Sequence, residues 1–91
     1  MEVKEAVKIA KDYISDLFAD EGVTDVCFEE VRYDDAKSQW DVTIGFSRAW
    51  DHRGALSKIT GALERTFKVV AIADADGSVV GVSHRVSMAI R

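Results

Sequence analysis

The first segment of the chain carries apolar side chains at intervals of three and four residues, the spacing of one helical face. Polar and charged side chains fill the positions between them, and Gly22 follows, a residue that often ends a helix. The pattern predicts a helix over residues 2–20. We expect its apolar face to bury Val3, Ala6, Val7, Ala10, Tyr13, Ile14, Leu17 and Phe18.

The next segment alternates as a strand does, but with a change of phase. Val26 and Phe28 share one face, whereas Val31 and Tyr33 have the opposite parity. A β-bulge near residues 29–30 would restore a single apolar face and bend the strand.

A polar connection at residues 34–39 predicts a hairpin, and a second strand follows it. Because apolar and polar positions alternate strictly there, this strand should have one buried and one solvated face. The apolar positions are Trp40, Val42, Ile44 and Phe46.

The alternation stops between residues 48 and 62, a stretch with two glycines and a weak helical spacing. It predicts a long loop with a short helix at residues 55–60. Loops of this length in a small domain are often functional.

Two more strands follow the loop. Residues 67–73, apart from Lys68, carry apolar side chains on both faces, as expected of a central strand, and Asp76-Gly77 is typical of a hairpin turn. In the last strand, apolar side chains occupy alternate positions and so share one face. His84 lies on that face and is expected to be half-buried. The full set on that face is Val80, Val82, His84, Val86, Met88 and Ile90.

These elements predict one domain over residues 1–91, an α+β fold. A single N-terminal helix packs on one face of a four-stranded antiparallel sheet, in the order α-β-β-loop-β-β. That arrangement covers the apolar face of every predicted element.

Composition limits the possible functions. The 91 residues are 47% hydrophobic and 31% charged, a balance typical of a globular protein. No apolar run approaches the ~20 residues that cross a bilayer, and the N-terminus lacks the apolar region of a signal peptide. The single cysteine, Cys27, fits a reducing compartment, so we expect a cytoplasmic protein.

The charge is unevenly divided. Residues 1–46 hold 12 acidic and 5 basic side chains, whereas residues 47–91 hold 4 acidic and 7 basic ones. The net charge of −4 disfavours nucleic acid and anionic lipid as partners. Two interpretations of this asymmetry remain open. Either the charges only solvate the surface of each half, or the uneven charge orients a protein partner or a second copy of the chain.

No set of residues predicts an active site, a metal or a cofactor. Asp74-x-Asp76-Gly77 lacks the further ligands of a calcium loop, and His52 and His84 lack the spacing of metal ligands. Glu29 and Glu30 are adjacent strand residues and are expected to be solvated. No nucleophile, base and orienting group can be assembled, so we expect no enzymatic activity.

The strongest candidate for a binding site is a basic and aromatic cluster in the long loop. Arg48, Trp50, His52 and Arg53 include the residue types enriched at protein interfaces. Two alternatives remain open: Trp50 closes one end of the sheet, or the cluster stacks on single-stranded nucleic acid.

Part of the chain resembles the PepSY-like and cystatin-like small domains. The resemblance rests on Ala6-x3-Ala10-x2-Tyr13 in the helix and on residues 67–80, with their Asp-x-Asp-Gly turn. It implies an inhibitory or binding module without shared catalytic residues.

The sequence therefore predicts a protein–protein interaction module, of an inhibitor or immunity type, or a homodimer. Contact would use the loop cluster, an open sheet edge or both. The alternative is a small-ligand binder or enzyme with a pocket between the helix and the curved sheet.

Overall fold

The computed structural model describes residues 1–47 and 66–85, and these form one helix and a four-stranded antiparallel sheet. The strands lie in chain order across the sheet, and the helix packs on one face of it, which confirms the predicted α+β fold. The elements are α1 (Val3–Leu17), a 3₁₀ turn (Ala19–Glu21), β1 (Thr24–Asp34), β2 (Gln39–Ser47), β3 (Thr66–Ala73) and β4 (Val79–His84).

The helix is shorter than predicted. It ends at Leu17 because Phe18 leaves helical geometry, and the following turn closes at Gly22, whose φ is +63°. The chain then enters β1 directly, so Gly22 ends the predicted helical region as expected.

The core lies between α1 and the sheet. Small helical residues at intervals of four let the helix approach the strands closely, and the layer between them is filled with aliphatic and aromatic side chains. Eight residues there have 0% exposure: Ala6, Ala10, Ile14, Val42, Ile44, Phe46, Val70 and Ile72.

The predicted apolar face of the helix was too wide. Val3, Tyr13 and Leu17 are exposed by 43%, 38% and 52%, whereas Ile9, which the pattern left out, packs against the core. A helix touches a sheet along a narrow line, so the flanks of a broad apolar stripe stay at its margins.

The predicted bulge in β1 is confirmed. The register with β2 shifts between Phe28 and Glu30, and a second shift near Asp25 accompanies a φ of +54° at that residue. The bulge lets Val31 pack against the core, although Phe28 is 43% exposed.

The second face of β2 is not solvated as predicted. Thr43 is 4% exposed, Ser47 is 0% exposed and Gly45 is buried. The aromatic ring of Phe67, on the neighbouring strand, lies over Gly45, and the side chain of Arg85 lies over Thr43.

The prediction for β3 is confirmed, since β3 lies between β2 and β4. The prediction for β4 was wrong at two positions. A register shift near Val80 leaves that side chain 63% exposed and lets Val79 pack against the core instead. His84 is exposed rather than half-buried. The predicted helix at residues 55–60 and the strand positions 86, 88 and 90 lie outside the described residues.

Candidate functional site

Arg48, Trp50, His52 and Arg53 all lie outside residues 1–47 and 66–85, so the structure neither brings them together nor separates them. The candidate site within the described residues lies on the strands.

The sheet has a face turned away from α1, which we call the open face. Strand register sets its composition, because residues paired across neighbouring strands have side chains on the same side. One row across this face joins Glu30, Thr43, Val69 and Ser83. The next row places Phe67 beside Gly45.

A polar network crosses the open face, and we call Glu30, Arg32, Thr43 and Arg85 the open-face cluster. Arg85 follows β4, and its Nη1 donates to Thr43 Oγ1 at 3.0 Å and forms an ion pair with the carboxylate of Glu30. Arg32 Nε donates to the other oxygen of that carboxylate at 2.9 Å. The cluster thus links β1 to the residue that follows β4, across β2 and β3.

Two of the three charges of the open-face cluster, those of Glu30 and Arg85, are partly shielded from water. The side chains of Glu30 and Arg85 are 34% and 39% exposed, whereas that of Arg32 is 78% exposed. The hydrogen bond from Arg85, followed by that from Arg32, lowers the pKa of Glu30. The carboxylate therefore stays ionised at neutral pH and holds both guanidinium groups in place.

Two shallow depressions lie beside the cluster. One, of about 290 Å³, is lined by the open-face cluster together with Asp41 and Val69. The second, of about 360 Å³, shares Asp41 and Val69 and extends toward Ala71 and Val80. The open face therefore presents a continuous surface on which charged groups adjoin apolar ones.

A second set of polar contacts, centred on Asp74, joins the turn between β3 and β4 to the hairpin of β1 and β2. Trp40 Nε1 donates to Asp74 Oδ1 at 3.0 Å, Tyr33 Oη donates to Oδ2 at 3.4 Å, and the ammonium of Met1 lies 3.5 Å from Oδ1. The tryptophan hydrogen bond is the main cause of the lowered pKa of Asp74.

Asp76, the other aspartate of this turn, makes hydrogen bonds within the turn itself. Asp76 Oδ1 accepts hydrogen bonds from the backbone N–H and the hydroxyl of Ser78, at 3.0 and 2.8 Å. The two carboxylates thus brace the turn, whose Gly77 has a φ of +74°. Among the described residues, no group of three or more His, Cys, Asp or Glu side chains could hold a metal ion.

Sequence reasoning expected Glu30 to be a solvated charge, which is wrong, because its carboxylate is 34% exposed and accepts from both Arg85 and Arg32. Arg85 lies 55 residues from Glu30, and Asp74 lies 34 residues from Trp40, so neither contact leaves a local signal. The one signal in the sequence that could have indicated the second contact was Trp40 itself, because a buried indole N–H usually has a hydrogen-bond acceptor.

Comparisons with known proteins returned no relative: no family model matches the chain, and neither a curated protein nor a solved structure does. No helix in the described part of the chain is long and apolar enough to span a membrane.

Proposed function

We propose that the chain is a non-catalytic, cytoplasmic protein-binding module that takes its partner on the open face of the sheet. The observation that carries the proposal is the open-face cluster, in which two guanidinium groups are hydrogen-bonded to one carboxylate beside an apolar surface. Arginine is enriched at protein interfaces, and groups held in place lose less entropy on binding.

The apolar part of the surface supports the same proposal. Phe67, Val69 and Ala71 are half-buried on the side away from α1, although strands with one wet face usually carry polar residues there. A partner that covers these side chains gains hydrophobic contact, and the open-face cluster sets its orientation.

The charge state of Glu30 supports a binding role over a catalytic one. A general acid or base works best with a pKa near the operating pH, and the two arginines move the pKa of Glu30 in the opposite direction. The exposed thiol of Cys27 supports the cytoplasmic part of the proposal, since a lone cysteine is stable where thiols stay reduced. The resemblance to PepSY-like and cystatin-like domains stays a prediction.

Affinity capture from native cells tests the proposal with two matched charge reversals. Arg32→Glu changes the open face, and Lys8→Glu changes the outer face of α1; the two side chains are 78% and 76% exposed. Wild type and Lys8→Glu should retain the same partner, and Arg32→Glu should lose it. If Arg32→Glu retains the partner as well as Lys8→Glu does, the open face is not the binding surface.

The loop cluster remains a second candidate surface for the same function. Trp50→Ala and Arg53→Ala, in the same capture experiment, separate the two surfaces. Loss of the partner in these variants but not in Arg32→Glu would move the site to the loop.

A further inference from the structure

We infer that the outer edge of β4 pairs with the same edge of a second copy of this chain. The inference goes beyond the proposed function, because the pairing uses backbone groups at the edge and leaves the open face free. It rests on a contrast between the two edges of the sheet.

The edge formed by β1 carries features that discourage pairing. Its 11 residues include Asp25, Glu29, Glu30, Arg32 and Asp34, and two register shifts interrupt it. Charges and bulges on an edge strand are common protection against a further strand. In an antiparallel pair of two β1 strands centred on residue 29, the two Glu29 carboxylates would face each other.

The edge formed by β4 has little such protection. Within the described residues β4 pairs with β3 alone, and residues 79–83 carry no charged side chain. Its one register shift lies at the start of the strand, and regular pairing continues from Gly81 to His84. Val80 is the most exposed of the large hydrophobic residues in the described part of the chain, at 63%.

The hydrogen bonding of β3 and β4 defines which backbone groups are available. The N–H of Arg85 donates to the carbonyl of Phe67 at 2.9 Å. Because inward and outward groups alternate along an antiparallel pair, Ser83 also bonds to β3, whereas Val82 and His84 direct their N–H and C=O groups outward.

These outward groups predict the register of the pair. A two-fold axis at Val82 places that residue opposite its own counterpart and places His84 opposite residue 80 of the second copy. Acidic side chains meet nowhere in this register, and the two Arg85 residues lie at opposite ends. The two sheets would form one continuous sheet with both open faces on the same side.

Disulfide trapping in a Cys27→Ser background tests the register. Paired positions have Cα atoms about 5.5 Å apart, which suits a disulfide, so Val82→Cys should give a covalent dimer under mild oxidation. Val80→Cys is the matched control. Residue 80 is the more exposed position, but in this register the Cα atoms of the two residues 80 would lie about 14 Å apart, too far for a disulfide.

Sedimentation equilibrium of the full chain tests the pairing itself. The wild type should change from 10.1 kDa to twice that mass as its concentration rises from about 1 μM to 1 mM. His84→Pro removes an outward N–H without removing a bond to β3 and should weaken the dimer roughly tenfold or more. His84→Ala keeps the N–H and should dimerise as the wild type does.

Two results would overturn the inference. A monomer at every concentration, or a Val80→Cys dimer that forms as readily as the Val82→Cys dimer, overturns the inference. If His84→Pro fails to fold, as judged by circular dichroism, the two cysteine variants and the concentration series of the wild type still decide the question. None of these outcomes bears on the open-face proposal, which is read from partner capture by Arg32→Glu.

Discussion

Substitution of Gly45 by alanine should destabilise the protein, because the open face has no room for a methyl group there. A Cβ at this position would lie 2.8 Å from Cε1 of Phe67 and 3.0 Å from Oε2 of Glu29. Carbon atoms normally pack at about 3.5–4.0 Å, so the ring must move by at least ~0.7 Å. Glu29 is exposed and can move at little cost, but Phe67 is half-buried.

The expected magnitude follows from two opposing effects. Overpacking of this kind costs about 1–3 kcal/mol, and the lower entropy of the unfolded alanine chain offsets about 0.4–1 kcal/mol. The free energy of unfolding of Gly45→Ala should therefore fall by roughly 0.5–2 kcal/mol. In a domain of this size, where 1 kcal/mol shifts Tm by about 4–8 °C, that corresponds to a decrease in Tm of roughly 2–16 °C.

Gly81→Ala is the matched control, because a Cβ at Gly81 would meet nothing within 4 Å. Urea denaturation followed by circular dichroism should show Gly81→Ala as stable as the wild type, or slightly more stable. Adding Phe67→Leu should recover part of the loss in Gly45→Ala, since it removes the ring atoms nearest the new methyl group. Equal stability of Gly45→Ala and Gly81→Ala would refute the register of β2 and β3 described above.

Three further predictions concern the core, the turn and the response to pH. Ile14→Ala, at a site with 0% exposure, should lose about 2–5 kcal/mol in urea denaturation, whereas Leu17→Ala, at 52% exposure, should change stability by less than ~1 kcal/mol. Gly77→Ala should lower the Tm at a cost of about 1–2 kcal/mol, because φ at this position is +74°. The lowered pKa of Glu30 contributes stability above the unfolded pKa of about 4.3, and this stability is lost as pH falls through the folded value. Glu30→Gln should therefore flatten the acid limb of a plot of unfolding free energy against pH, and an unchanged limb would contradict the ion pair with Arg85.

Local periodicity predicted the elements because each buried face is repeated over several residues. The stripe through Ala6, Ala10 and Ile14 and the alternation through Val42 and Ile44 are signals that a single helix or strand carries by itself. The predicted end of the helix was wrong, since helix termination depends on the geometry of one residue, here Phe18.

The errors within the sheet arose where strand register decides which side chain is buried. Val79 and Val80 are both valines, so the alternation pattern contains no sign of the shift that turns one inward and the other outward. The open-face cluster was missed for the same reason. Glu30 and Arg85 meet only because β1 to β4 lie in chain order across the sheet, a property of the whole fold.

Photo-crosslinking in native cells tests the central claim most directly, namely that the face opposite the helix receives a protein partner. The photoreactive residue benzoylphenylalanine would replace Arg32 on the open face or Lys8 on the outer face of α1, two positions of nearly equal exposure. The open-face proposal predicts a discrete cross-linked protein from position 32 and none from position 8. Cross-linking from position 8 alone, or the same products from both positions, would contradict it.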